Sequence, residues 1–265
     1  MAEYTLIPDG AFVLGQSPQY PEESAGIKLH MSELWFLTHE VTNAEFGEFV
    51  TDTGYVTDAE RLDPDTNLAN GSAVFQPGAP AGKIWRLDRN ANWRAPGGEG
   101  TTLQGLEKHP VVHVSLSDAR AYAAWANARL PTETEWEYAA QLGLPDQENT
   151  ISGAYTREGA PVANTWQGVF PFVDTVTDGY SGTSPVGCFE ASKVGLYDMI
   201  GNVWEWTETP ASSKGNFTIK GGSYLCADNF CRRYRPQARQ FQELHFSTSH
   251  LGFRVVRDSP PDDGA

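Results

Sequence analysis

Cysteine is scarce in this chain, with three among 265 residues. Small secreted domains that rely on disulfides carry a denser set, so a disulfide framework is excluded as the source of stability. Basic residues are also few: 19 Lys and Arg face 34 Asp and Glu, for a net charge of −15. Binding to nucleic acid depends on Lys and Arg neutralising phosphates, so nucleic acid is not an expected partner. An acidic surface favours solubility and is compatible with calcium or with a basic peptide. No apolar run approaches the roughly 20 residues that cross a bilayer, so no membrane partner is expected. The opening run Met1-Ala-Glu-Tyr-Thr-Leu-Ile-Pro8 has neither a basic n-region nor an apolar h-region. The sequence therefore reads as cytoplasmic, unless a signal peptide has been trimmed from it.

Aromatic residues, by contrast, are plentiful. Eight Trp, ten Tyr and thirteen Phe supply the apolar area of a substantial core, and a charged fraction of only 20% argues against bulk disorder. The Pro/Gly-rich stretch from Gln76 to Gly82 is too short for a linker. One domain over residues 1–258 is expected, followed by a disordered tail, Ser259-Pro-Pro-Asp-Asp-Gly-Ala265.

Three helices are legible. Thr42-Asn-Ala-Glu45 fits a capping box, and Phe46, Phe49 and Val50 follow at helical spacing to about Thr51. A second helix is predicted from near Ser117, with Ala121, Tyr122, Trp125 and Ala126 on its apolar side. A third opens on the capping box Thr132-Glu-Thr-Glu135 and runs through Trp136 to about Gln141. Two short strands flank an Asp-Gly turn between Tyr4 and Gly15. Further strands are predicted at Phe217 to Lys220, Arg233 to Arg235 and Gly252 to Arg257. Elsewhere, Gly, Pro, Asn and Asp break up residues 63–105 and 142–192. The fold class is α+β and loop-rich, with little regular secondary structure. Loops this long are usually functional or braced by ions.

Two of the cysteines lie five apart, in Lys220-Gly-Gly-Ser-Tyr-Leu-Cys226-Ala-Asp-Asn-Phe-Cys231-Arg-Arg-Tyr-Arg235. A local disulfide, a pair of buried thiols, a metal site and a thiol-based active site all fit that spacing. Structural zinc wants four ligands, and only Cys188 remains elsewhere in the chain. Two thiolates suffice for Cu(I), which prefers sulfur at low coordination number. Arg232, Arg233 and Arg235 would favour the thiolate form. Cys188, in Pro185-Val-Gly-Cys-Phe189, has no thiol neighbour in sequence and reads as a buried structural cysteine. Iron on histidines is disfavoured. His109 and His113 flank a Pro-Val-Val segment rather than sharing a helical face, and His245 and His250 share a loop.

Several segments carry a family resemblance. They are His109-Pro-Val-Val-His-Val-Ser115, Arg129-Leu-Pro-Thr-Glu-Thr-Glu-Trp-Glu-Tyr-Ala-Ala140, Gly195-Leu-Tyr-Asp-Met-Ile-Gly-Asn-Val-Trp-Glu-Trp-Thr207, Gly221-Gly-Ser-Tyr224 and Leu251-Gly-Phe-Arg-Val-Val256. Together with the cysteine pair and Ala163-Asn-Thr-Trp-Gln-Gly-Val-Phe-Pro171, they resemble the formylglycine-generating enzymes, also called sulfatase-modifying factors. The similarity runs from about Tyr4 to Arg257. It implies an elaborated C-type-lectin-like fold and a copper-dependent oxidase that uses O2 to convert a peptidyl cysteine to Cα-formylglycine. On this resemblance Cys226 and Cys231 are Cu(I) ligands that leave room for a substrate thiolate, and Ser223 hydrogen-bonds substrate or an oxygen intermediate, unless it is simply a strand-end hydroxyl. Trp93, in Asn92-Trp93-Arg94, and Trp204 would line the peptide groove. Two structural calcium ions are implied as well. One would take the side chains of Asn164 and Asp178 with the carbonyls of Thr165 and Tyr180. The other would take Asp198 and Glu205 with the carbonyls of Gly201 and Val203. A salt bridge from Glu205 to an arginine is the competing reading. The related sulfoxide synthases draw iron-binding histidines from an added helical domain that has no counterpart in this sequence.

The sequence departs from the family pattern in three places. Gln240 to Phe246 replaces a polar run, Ala227 stands where histidine is common, and a Tyr/Phe-Pro-Trp-Gly turn is missing. None of these removes a metal ligand, so they bear on the substrate. A sulfatase-type Cys-x-Pro-x-Arg segment in a peptide or unfolded protein is the expected substrate, and the acidic surface suits its arginine. An oxidase acting on another thiol or tailoring a peptide natural product, and a non-catalytic lectin-like binding domain, are the alternatives.

Overall fold

Thr42 begins the first helix, α1 (Asn43–Thr53), and its side chain and that of Glu45 cap each other's backbone N–H groups. Gly54 ends it at φ 68°, where glycine is favoured. The second helix, α2 (Leu116–Trp125), starts one residue before the predicted Ser117 because Ser115 is the cap, in a capping box with Asp118. Its buried face is Leu116, Ala119, Tyr122 and Ala123. Ala121 and Ala126 lie at the margin and Trp125 is exposed, so the expected apolar side was rotated. The third helix, α3 (Glu133–Gly143), has the predicted Thr132 and Glu135 hydrogen bonds at its start.

The computed structural model describes residues 3–23, 26–80, 82–143, 153–156 and 158–261. Of the predicted tail, residues 259–261 carry no regular structure and the rest lies outside the described residues. Strands β1 (Tyr4–Ile7) and β2 (Gly10–Leu14) flank the Asp-Gly turn but do not pair with each other. β2 pairs with β3 (Ile27–Met31). β1 joins β4 (Leu34–Leu37) and β13 (Val256–Arg257) in a sheet of order β1-β4-β13. A four-stranded sheet has the order β11-β10-β9-β12, from β9 (Trp204–Pro210), β10 (Asn216–Lys220), β11 (Gln240–Glu243) and β12 (Leu251–Gly252). Only its β12-β9 pair is parallel. Two small hairpins, β5 (Ser72–Phe75) with β6 (Trp85–Asp88) and β7 (Gly168–Val169) with β8 (Val173–Asp174), punctuate long loops. The strand predicted for Gly252 to Arg257 is split in two, and none forms at Arg233 to Arg235.

The main core lies between α1, α2 and the four-stranded sheet, where Phe46, Phe49, Tyr122, Trp204, Trp206 and Phe253 pack together. Truncating a ring such as Phe46 would cost roughly 3–5 kcal/mol. A second cluster joins Ile7, Leu34 and Phe36 to Trp136 and Tyr138 of α3. A third, smaller one gathers Phe75, Trp166, Tyr224, Leu225 and Ala227 under the cysteine segment. No helix among the described residues is long and apolar enough to cross a membrane.

Candidate functional site

β10 delivers the chain to Gly221 and Gly222, whose φ values are 90° and 71°. A Cβ on Gly222 would stand 2.6 Å from Cα and 2.8 Å from N of Tyr234, so only glycine allows the chain to return across itself here. Two turns follow. Cys226 N–H donates to the Ser223 carbonyl at 2.9 Å, and Cys231 N–H to the Ala227 carbonyl at 2.8 Å. Two longer-range bonds fix the first turn: Tyr224 N–H to the Asn202 carbonyl and Trp166 N–H to the Cys226 carbonyl.

These turns bring the two sulfurs to 3.7 Å. A disulfide needs about 2.05 Å, and all three cysteines are free. Cys226 is buried while Cys231 is half-buried. The Cys226 thiol donates to Cys231. That bond and burial hold Cys226 well above the usual thiol range. The same bond pulls Cys231 down, aided by the backbone N–H and guanidinium of Arg233, whose Nη1 lies 3.8 Å from Sγ. Cys231 is therefore the more acidic thiol of the pair. Ser223 is fully buried; its Oγ accepts from Leu225 N–H at 3.2 Å and its hydroxyl favours the ionised form of Cys226. The expected trio Cys226, Cys231 and Ser223 is assembled.

Trp93 and Trp204, expected to line the peptide groove, are each only 2% exposed and belong to the core. Trp93 packs edge-on against Phe46 of α1, its Nε1 donates to Glu60 at 3.3 Å, and the Arg94 guanidinium covers its ring at 4.2 Å. Trp204 is a core residue of β9. Cys188 is corrected in the opposite sense: it is exposed, in a surface loop beside the Tyr180 hydroxyl.

In the first oxygen-rich set, hydrogen bonds tie Asp178 to Thr165 and Tyr180. Asp178 accepts from Thr165 N–H at 3.1 Å, Tyr180 N–H at 2.9 Å and the Gln167 amide at 2.7 Å, and that amide also bonds the Thr165 carbonyl. Asn164 donates to the Gly182 carbonyl, yet its buried Oδ1 has no partner. A buried amide oxygen without a partner is the kind of donor a calcium ion takes. The second set does not fit in the expected form. Arg254 and the Trp136 indole occupy both Glu205 oxygens, at 2.6 to 2.7 Å. Asp198 accepts from Gly187 N–H. A Cβ on Gly201 would lie 2.1 Å from the Asn164 carbonyl, so the two segments meet through that glycine. The salt-bridge reading of Glu205 is the one realised.

Sequence reasoning missed Glu40, which is fully buried with no partner on either carboxylate oxygen. Burial, then the charge of Asp198, pushes its carboxyl well above the ordinary carboxylate range. Its one signal was a lone carboxylate shortly after the apolar Leu34-Trp-Phe-Leu37 and before Val41. His113 bonds Ser72 and the Pro96 carbonyl, His109 bonds Thr183, and His245 pairs with Asp58. Among the described residues, no three His, Cys, Asp or Glu side chains stand ready around one metal position.

The sulfatase-modifying factor enzyme 1-like domain model matches residues 1–259. The chain belongs to the formylglycine-generating enzyme family. It is 40% identical to a formylglycine-generating enzyme of Mycobacterium tuberculosis over a 299-residue alignment covering 97% of this chain and 98% of the relative. A relative of the same name from Thermomonospora curvata is 40% identical over 279 aligned positions, 95% of this chain and 92% of its own. PvdO from Pseudomonas aeruginosa has the same fold, with a TM-score of 0.71 at 21% identity over 97% of this chain and 95% of its own.

Proposed function

We propose that this family member is an oxidase that uses O2 to convert a cysteine of a peptide or unfolded polypeptide to Cα-formylglycine, with Cu(I) held by Cys226 and Cys231. A sulfatase-type Cys-x-Pro-x-Arg segment is the proposed substrate. The observation that carries this reading is the pair of free sulfurs 3.7 Å apart, one buried and one half-buried. Near-full-length similarity to two enzymes of that name supports it.

When bound, Cu(I) supplies one-electron chemistry toward O2 and a soft position for an incoming thiolate. The residues of the chain prepare that position. Arg233 and the Cys226 thiol stabilise the Cys231 thiolate, so the pair has a single proton left to release. Ser223 lowers the cost of releasing that proton from Cys226. Burial of Cys226 keeps water from one side, and in this reading the substrate approaches from the half-buried side at Cys231. Conversion of the substrate β-carbon from thiol to aldehyde is a two-electron oxidation with loss of sulfide. O2 accepts four electrons, so a thiol reductant supplies the other two. A compartment that supplies such thiols, the cytoplasm, suits both the reductant and the free pair.

Calcium braces this scaffold in our reading, held by Asn164, Thr165, Asp178 and Tyr180. The orphaned Asn164 oxygen supports that assignment. The decisive experiment is Cu(I) titration of the unmodified protein and of Cys226→Ser and Cys231→Ser, with the mass of a Cys-x-Pro-x-Arg peptide followed under air. Loss of tight Cu(I) binding in both variants, and loss of peptide mass only with the unmodified protein, is expected. Unchanged Cu(I) affinity in the variants would end the reading.

A further inference from the structure

The segment after Cys231 has no ladder hydrogen bonds of its own until β11, yet it carries one of the two sulfurs. A piece of chain more than 200 residues away holds it. The β2-β3 connection crosses the start of this segment. The Tyr20 hydroxyl accepts the N–H of Arg232 at 3.0 Å, and its ring lies under the Arg233 guanidinium at 4.0 Å. Glu22 pairs with Arg233 at 2.6 Å, and its carbonyl accepts from Arg239. Buried Glu23 pairs with Arg235, which is also buried. The connection is itself braced: Glu23 N–H donates to the Tyr20 carbonyl and the Glu23 carboxylate accepts from Gln19 N–H. Arg239 continues to Glu133 in the first turn of α3, at 2.9 and 3.1 Å.

We propose that Tyr20, Glu22 and Glu23 form a strap that positions Cys231 for metal binding and turnover, a role resting on the oxidase reading above. Tyr20 fixes the backbone of the residue next to the ligand. Glu22 and the Tyr20 ring together fix the direction of Arg233, whose Nη1 meets the Cys231 sulfur. The three are positioning residues, since none touches the sulfurs directly. Their aromatic and acidic character matches the arginine run they hold, and the same pairing occupies those arginines so that they are not free for substrate.

The test uses Tyr20→Phe, which keeps the ring and loses the hydroxyl, Tyr20→Leu, which loses both, and Glu22→Gln, which keeps the shape and loses the charge. Hydrogen exchange of the peptide containing Arg232, read without copper, reports the strap itself. Cu(I) affinity, by competition with a chromophoric chelator, and kcat and KM on a Cys-x-Pro-x-Arg peptide report its consequence. Tyr20→Leu and Glu22→Gln should lose about ten-fold in Cu(I) affinity and in kcat, the scale for residues that orient a metal ligand, with KM nearly unchanged. Tyr20→Phe should recover most of the kcat lost in Tyr20→Leu, because Arg233 keeps its stacking surface. Exchange at Arg232 should rise in both Tyr20 variants while exchange in α1 stays as it was. Unchanged exchange at Arg232 in both Tyr20 variants, or faster exchange in Tyr20→Leu with unchanged Cu(I) affinity and kcat, would overturn the proposal. Failure of the unmodified protein to bind Cu(I) would overturn the oxidase reading instead, and the exchange measurement separates the two.

Discussion

Arg254 and Glu205 face each other side-on in the interior, Nη2 to Oε1 at 2.6 Å and Nε to Oε2 at 2.7 Å, with neither side chain exposed. Arg254 also donates to the Thr38 and Tyr197 carbonyls, so one guanidinium joins β9, the end of β4 and the Tyr197 loop. Removing one partner of a buried pair strands the other charge. Arg254→Met should therefore cost roughly 3–5 kcal/mol, and pairing it with Glu205→Leu should return part of that loss. Urea midpoints of the two single variants and the double variant check this. Additive losses would mean that the pair is not the unit that matters.

Buried histidines set a second expectation. Burial pushes His113 down to about 4 and His250 to about 3, the latter also opposed by the charge of His113. Both stay neutral in the folded protein while the unfolded chain takes up protons below about 6.5. The unfolded state then binds more protons, so their contribution to stability is complete above pH 6.5 and is lost as pH falls toward 4. Asp118, pushed up to about 6 by burial, acts in the opposite sense between 4 and 6 and flattens the total curve. The histidine contribution must be read by difference. Between pH 7 and pH 5, the unmodified protein should lose about 2 kcal/mol more than His113→Gln. Equal losses would show that His113 titrates normally in the folded state.

What was legible in the sequence follows from distance along the chain. Thr42 with Glu45 and Thr132 with Glu135 were readable because each capping box lies within four residues. The second helix was displaced because Ser115 and Ser117 are both good cap residues and only the tertiary fold selects the first. Cys226 and Cys231 were legible as a pair because they lie five apart in sequence, whereas Ser223 came only with the family resemblance. Arg233 to Arg235 was misread as a strand because its conformation depends on Tyr20, Glu22 and Glu23, whose link to it leaves no local trace. The identity of the arginine that pairs with Glu205, and the burial of Glu40, left no local trace for the same reason. The environments of these two residues come from Arg254 and Asp198, each brought in by a different loop.

Gly222 offers a separate test of how the thiol turn is built. An alanine there would meet the Tyr234 backbone at 2.6 Å in a left-handed conformation, whereas at Gly54, also left-handed, it would meet nothing within 4 Å. Gly54→Ala should cost about 1–2 kcal/mol from backbone conformation alone. Gly222→Ala should cost clearly more, because Tyr234 has to move, and should weaken Cu(I) binding, which Gly54→Ala should leave intact. Thermal midpoints and Cu(I) competition distinguish the two. Equal behaviour would mean that the close approach at Gly222 relaxes freely.

The orphaned Asn164 oxygen bears on calcium. A buried amide oxygen without a partner forfeits about 1–3 kcal/mol unless something satisfies it. Asp178 and the Thr165 carbonyl nearby have so far only the Gln167 amide and backbone N–H groups to meet them. If calcium completes this set, chelation should lower the thermal midpoint of the unmodified protein, and added Ca2+, but not Mg2+, should restore it. Mg2+ holds its waters and demands a tighter octahedron than a set of amide and carbonyl oxygens provides. Asn164→Ala should start near the chelated midpoint and respond little to chelator or to Ca2+. Copper binding at Cys226 and Cys231 should weaken in parallel, because Trp166, two residues on from Asn164, anchors the Cys226 carbonyl at 3.0 Å. A midpoint insensitive to chelator in the unmodified protein would remove calcium from this site and leave Gln167 as the group that closes it.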